Sequence, residues 1–136
     1  MTANRDLARK MFEAYQARDR AFVEQLLAND FTFTSPYDDH IERAAYFERC
    51  WPNNGQIEKF HFIAFAESDD SVFVLYRCDT IGGDTFRNAE FLTFAGGKLK
   101  SVEVFFGDPP AGVAKADYPA FVDVARQAWE QRLHSM

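Results

Sequence analysis

Cysteine is scarce in this sequence, with only Cys50 and Cys78 among 136 residues. They fall in segments that read as helix and strand, with no secretory leader ahead of them, so they are expected as buried, reduced thiols and not as a disulfide framework. Long apolar runs are also missing, which argues against a membrane span, and Met1-Thr2-Ala3-Asn4-Arg5-Asp6 lacks an apolar leader; a cytoplasmic location is expected. Clustered positive charge is absent too. A formal charge of -6 and a pI near 5.0 repel phosphate backbones, so nucleic-acid binding is not expected. His40, His61 and His134 stand alone and the cysteines lie far apart, so no metal site is expected. Neither a GxGxxG fingerprint nor a P-loop occurs; Gly82-Gly83 and Gly96-Gly97 read as hairpin turns, and no cofactor is expected.

What the chain has in quantity is phenylalanine, fifteen in all, rings that bury large areas without needing hydrogen-bond partners. The length suits one domain, and 47% of residues are apolar, enough for a core. Leu7, Met11 and Tyr15, flanked by Ala8 and Phe12, draw one stripe of a first helix. Asp19 is placed to cap a second short helix through Phe22, Val23, Leu26 and Leu27, ending near Asn29-Asp30. Phe31-Thr32-Phe33-Thr34 alternates as a strand that Ser35-Pro36 stops. Asp39 followed by Glu42 is a capping-box pattern, and it predicts a third helix through Ile41, Ala45, Tyr46 and Cys50. Beyond Ile57 the period changes to strands over 58–67, 72–81, 85–94 and 99–106, an antiparallel meander. After the Asp108 to Gly112 joint, Tyr118, Val122, Ala125, Trp129 and Leu133 predict a C-terminal helix.

Side chains alternate along a strand, yet the meander strands carry large hydrophobes on both faces. Val72, Val74, Tyr76 and Cys78 share one side, and Phe73 and Leu75 the other. Such a sheet must be covered twice. The predicted helices suffice for one face, so the second is expected to meet another subunit, as a homodimer, or the C-terminal helix.

Ala17-Arg18-Asp19, Leu27-Ala28-Asn29-Asp30-Phe31 and Glu90 through Leu99 running on to Val104-Phe105-Phe106-Gly107 give the chain a resemblance to the nuclear transport factor 2-like superfamily, in its SnoaL-like branch, over about residues 5–107. The resemblance implies an α+β, cystatin-like fold: a cone-shaped, strongly curved, mostly antiparallel sheet wrapped on N-terminal helices around an apolar pocket, with frequent dimers through the outer sheet face. It divides the chain into a SnoaL-like domain over 1–112 and a C-terminal helical extension over 113–136. The superfamily includes ketosteroid isomerases, polyketide cyclases and dehydratases, and also proteins without known chemistry, so the pocket must carry any assignment. By register, the isomerase general base falls on Ser35 and the oxyanion-hole tyrosine near Met11, so that chemistry is not expected. The second oxyanion-hole acid does have a counterpart in Glu90.

Glu90 is expected to point inward beside Leu92 and Phe94, where lost hydration would raise its pKa and let it act as an acid or donor. Alternatively it accepts a hydrogen bond from Tyr15, Tyr76 or Asn88 and serves the core. Asn88 offers a donor and an acceptor on the same face, and Tyr15 and Tyr76 each bring an apolar ring with a hydroxyl tip. Trp51, Phe62 and Phe106 are further candidates for the pocket wall. Asp38 and His40 combine a carboxylate and an imidazole near the expected cavity mouth; against catalysis by them stand a helix-cap role and a solvent-facing first turn. His61 is expected outside, as are Arg77 and Glu103, an ion pair across the sheet or a dimer. The resulting expectation is a protein that binds a small hydrophobic molecule, either as a cofactor-free isomerase, cyclase or dehydratase using Glu90, or as a non-catalytic binding or dimerisation module. A pocket filled by its own side chains would leave an interaction domain.

Overall fold

A computed structural model describes residues 3–107 together with Gln127 and Gln131. The predicted C-terminal helix and the boundary at residue 112 therefore lie outside the described residues, those two helical glutamines apart. Helix α1 spans Asn4–Ala17 and buries Ala8, Met11, Phe12 and Ala14, one stripe of its surface. It stops at Arg18, which adopts a left-handed conformation with φ 59°. Asp19 then accepts a hydrogen bond from the Phe22 amide and starts α2 (Arg20–Leu26).

Strand β1 (Leu27–Ser35) begins directly after α2, earlier than the sequence pattern suggested. Residues Asp38–Glu42 form strand β2, and helix α3 begins only at Arg43, ending at Arg49. This corrects the expected helix start at Asp39. Pro36 and Tyr37 make a tight turn that returns the chain antiparallel along β1, pairing Phe33 with Ile41 and Ser35 with Asp38. Ladder hydrogen bonds and the packing of Ile41 outweigh a cap that would serve one amide. A 3-10 turn over Trp51–Gln56 leads into the meander.

Strands β3 (Ile57–Ser68), β4 (Ser71–Thr80), β5 (Thr85–Ala95) and β6 (Lys98–Phe106) follow as antiparallel neighbours. Strand β1 joins β6 in parallel, so the sheet reads β2-β1-β6-β5-β4-β3. Gly96 and Gly97 turn β5 into β6 with φ of 57° and 78°, a region that glycine enters without steric cost. Register breaks at Phe62/Ala64, Thr93/Phe94 and Leu27/Thr32 mark irregularities of the kind that bend strands. The result is an α+β fold with a curved, open sheet laid on its helices.

The concave side carries the core. Val72, Val74 and Cys78 are fully buried, as are Leu92, Leu99, Phe31 and Val23. On the convex side Phe73, Leu75 and Phe105 remain 49%, 41% and 48% exposed, and Phe73 stacks on Phe91 at 4.5 Å. Both apolar faces read from the alternation are thus present, and only the concave one is covered among the described residues. His61 lies on the convex side, bonded to Asp79 at 2.7 Å. Arg77 joins the same Asp79 at 3.4 Å and faces Arg87 across the ladder, whereas Glu103 stands opposite Phe91. The expected Arg77–Glu103 pair does not form within one chain, because the register places the two at different heights on the sheet.

Candidate functional site

Between α1, α3 and the concave sheet lies a cavity of about 230 Å³. Its walls are largely apolar: Met11 and Phe12 from α1, Phe33 from β1, Phe60 from β3, Phe86 from β5, and Val102, Val104 and Phe106 from β6. Phe12 anchors the wall, meeting Phe60, Phe62 and Tyr76 edge-on at 5.1, 5.6 and 5.1 Å.

Glu90 enters this hollow from the middle of β5. It is paired with Val74 on one side and Val104 on the other, so strand alternation leaves its side chain no route to the convex face. The side chain is partly buried and lines the cavity wall. Burial pushes its carboxyl up from 4.5 to about 7, and a hydrogen bond from Tyr76 holds back part of the rise. That bond is short, 2.5 Å from the Tyr76 hydroxyl to Glu90 Oε2. Asn88 donates from Nδ2 to the same hydroxyl at 3.3 Å, and its Oδ1 accepts from the Gly107 amide at 3.3 Å. Burial, reinforced by the neighbouring Glu90 charge, raises the phenol of Tyr76 well above its ordinary range.

Tyr15 also borders the cavity, donating its hydroxyl to the Cys50 carbonyl at 3.1 Å. Burial raises its phenol as well. Asp38 reaches the cavity from β2, its side chain only 9% exposed. Arg49 pairs with its Oδ1 at 2.6 Å, and Ser35 donates to its Oδ2 at 3.2 Å. Cys50 Sγ stands 3.9 Å from the same oxygen.

Of the residues expected here, Glu90, Asp38, Tyr15, Tyr76, Asn88 and Phe106 border one cavity, and His40, Trp51 and Phe62 do not. His40 turns outward on β2 at φ 50°, 73% exposed and bonded to Asp39 at 2.6 Å. Trp51 is buried one layer behind, edge-on to Tyr15 and Phe47. Phe62 does point to the helix side, but Phe12 and the Arg9 guanidinium, 5.0 Å from its ring centre, occupy it. Tyr46, Cys50 and Asn53 line the cavity too, although no sequence pattern marks them for it, and so does Ser35, where the family register places the isomerase base. Only tertiary closure of β1, α3 and the following turn over the sheet brings them there. Among the described residues no group of three His, Cys, Asp or Glu side chains is placed to hold a metal ion.

The two thiols, of which Cys50 lines the cavity, are poor nucleophiles. Burial and the nearby Asp38 charge push Cys50 up to about 11, and burial with Asp79 pushes Cys78 to about 12. Iodoacetamide at pH 8 is therefore expected to leave both unmodified in the folded protein and to label both in denaturant, as mass spectrometry would read. Labelling of Cys50 under native conditions at the rate of a free thiol would refute this.

A curved sheet closing on helices around such a cavity defines the nuclear transport factor 2-like class. Within that class the chain belongs to the SnoaL-like domain family, whose pattern matches residues 8–102. Solved structures agree on the fold. A nuclear transport factor 2-like protein of unknown function from Cytophaga hutchinsonii superposes with TM-score 0.62 at 20% identity, covering 89% of this chain and 96% of its own. A Kribbella flavida protein provisionally named a ketosteroid isomerase gives TM-score 0.66 at 23% identity, over 79% of this chain and 82% of its own. A de novo designed protein with a curved β-sheet gives 0.68 at 13% identity, over 96% and 99%. Comparison with curated proteins gave no match. Since a designed chain shares the architecture, the fold alone assigns no chemistry.

Among the described residues no helix is long and apolar enough to cross a membrane.

Proposed function

We propose that the cavity binds a small, largely apolar molecule and that Glu90 serves there as an acid or hydrogen-bond donor, in chemistry of the isomerase, cyclase or dehydratase kind. The observation that carries this reading is a carboxyl group set in an apolar cavity wall and hydrogen-bonded by Tyr76 at 2.5 Å, where burial raises its pKa. An engineered apolar cavity of roughly 150 Å³ holds benzene, so about 230 Å³ suits a molecule of one or two rings. The name of the Kribbella flavida neighbour agrees with isomerase-type chemistry.

A second reading, binding without turnover, is favoured by the state of Asp38. Arg49 and Ser35 already engage its two oxygens, which weakens the other cavity carboxylate as a base. The convex face, with Phe73, Leu75 and Phe105 exposed, is proposed as the contact of a homodimer.

Naphthalene titrated into isotope-labelled protein tests the shared part of both readings. Saturable methyl shifts are expected at Ile57, Val102 and Val104, and Val104→Trp, which fills the hollow, should abolish them. Shifts confined to Leu75 and other convex-face residues, or none at all, would end the pocket proposal.

A further inference from the structure

The hydrogen bonds behind Glu90 run in one direction only, and their direction begins at a backbone amide. Gly107 N–H has no choice but to donate; it gives to Asn88 Oδ1 at 3.3 Å while also bonding the Arg87 carbonyl at 2.8 Å. The close approach requires glycine, because a Cβ at position 107 would stand 2.1 Å from the Arg87 oxygen. With Oδ1 claimed, the amide of Asn88 must present Nδ2 to Tyr76, and an NH2 group has no lone pair with which to accept. Tyr76 therefore receives a hydrogen from Asn88 and sends its own to Glu90 Oε2, 2.5 Å away. The proton of neutral Glu90 is then excluded from Oε2 and falls to Oε1, the other oxygen of a side chain that lines the cavity.

We infer that Asn88, oriented by the Gly107 amide, is a positioning residue that holds the Glu90 proton on the cavity-facing oxygen, so that this wall selects ligands presenting a hydrogen-bond acceptor. The inference rests on the pocket reading above and adds a direction to it. Asn88 borders the cavity, but the selection does not depend on its own contact with the ligand. It acts through Tyr76.

Two probes of nearly equal shape separate the selection from the binding: acetophenone carries a carbonyl oxygen where α-methylstyrene carries a CH2. Below pH 6, where Glu90 holds its proton, the wild-type protein is expected to favour acetophenone by roughly three- to tenfold, the worth of one hydrogen bond. The preference should fade as pH rises through about 7 and the proton leaves. Asn88→Asp keeps the side-chain shape and, once ionised, offers only acceptors, so Tyr76 turns to position 88 and Glu90 gives its proton to Tyr76 through Oε2. This variant should lose the acetophenone preference, read as the ratio of the two affinities measured on the variant itself. Asn88→Leu, which carries no new charge, should likewise show a reduced ratio of acetophenone to α-methylstyrene affinity. A wild-type preference retained in Asn88→Asp, or equal binding of the two probes by wild type, would overturn the inference while leaving the pocket intact. Failure of both probes to bind wild type would overturn the pocket reading and this selection with it.

Discussion

Glu90→Gln is expected to remove a fall in stability of about 3 kcal/mol that the wild-type protein undergoes as pH rises from about 4.5 through 7. The sign follows from proton binding. Below pH 4.5 Glu90 is neutral whether folded or unfolded, and its contribution is fully present. Between 4.5 and about 7 the unfolded chain releases the proton while the folded one keeps it, so each further unit of pH favours unfolding. Above about 7 both states are ionised and the loss is complete. The substituted amide has nothing to ionise and would still accept from Tyr76 through its side-chain oxygen. Denaturant melts of wild type and Glu90→Gln across this range should therefore diverge: the stability difference, variant minus wild type, grows by about 3 kcal/mol from pH 4.5 to pH 8. A constant difference would mean that Glu90 ionises as freely in the fold as out of it. Other carboxylates contribute equally to both proteins and cancel.

Leu92→Ala is expected to cost about 3 kcal/mol, within the 2–5 found for fully buried leucines. Leu92 is completely inaccessible, between Val72 on β4 and Val102 on β6, at the centre of the concave layer. Phe105→Ala removes a larger side chain, yet from the convex face, where the ring is 48% exposed. In dilute protein it should cost well under half as much. If a second copy covers that face, the penalty of Phe105→Ala, unlike that of Leu92→Ala, will grow with protein concentration, since dimerisation adds stability by mass action. Unfolding midpoints at two concentrations a hundredfold apart check both statements. A concentration-independent penalty for Phe105→Ala would argue against the convex-face dimer, and a small penalty for Leu92→Ala would argue against the assignment of faces.

Much of this architecture was legible in the residues because the meander obeys simple rules. Its strands alternate, its turns carry Gly82-Gly83 and Gly96-Gly97, and its length leaves room for little else. Glu90 could be placed inside from the same alternation, since Leu92 and Phe94 two and four residues on demand burial. The second strand was harder to see. Asp39 and Glu42 have the spacing of a capping box, and nothing local reveals that Asp38–Glu42 will be held by β1 instead. That misreading concealed how Asp38 enters the cavity, because a helix-capping carboxylate would have faced its own backbone. Trp51 and Phe62 illustrate the opposite limit. Both are buried or partly buried rings, as their type suggests, but helix α1 and its neighbours take up their surfaces. Which of several aromatic rings meets the hollow depends on how α1 crosses the sheet, a property of packing and not of period. The polar chain through Asn88 and Gly107 depends on a backbone contact at one glycine, and no composition announces that.

The central claim concerns where one carboxyl group resides: in a dry hollow, held there by strand β5. Carbon-13 NMR of the glutamate side-chain carboxyls, with Glu90 assigned by its absence in Glu90→Gln, reads this directly as a titration curve. The structure predicts a midpoint near 7 for Glu90, well apart from exposed glutamates. A midpoint at the ordinary 4.5 would place the carboxylate in water and contradict the account.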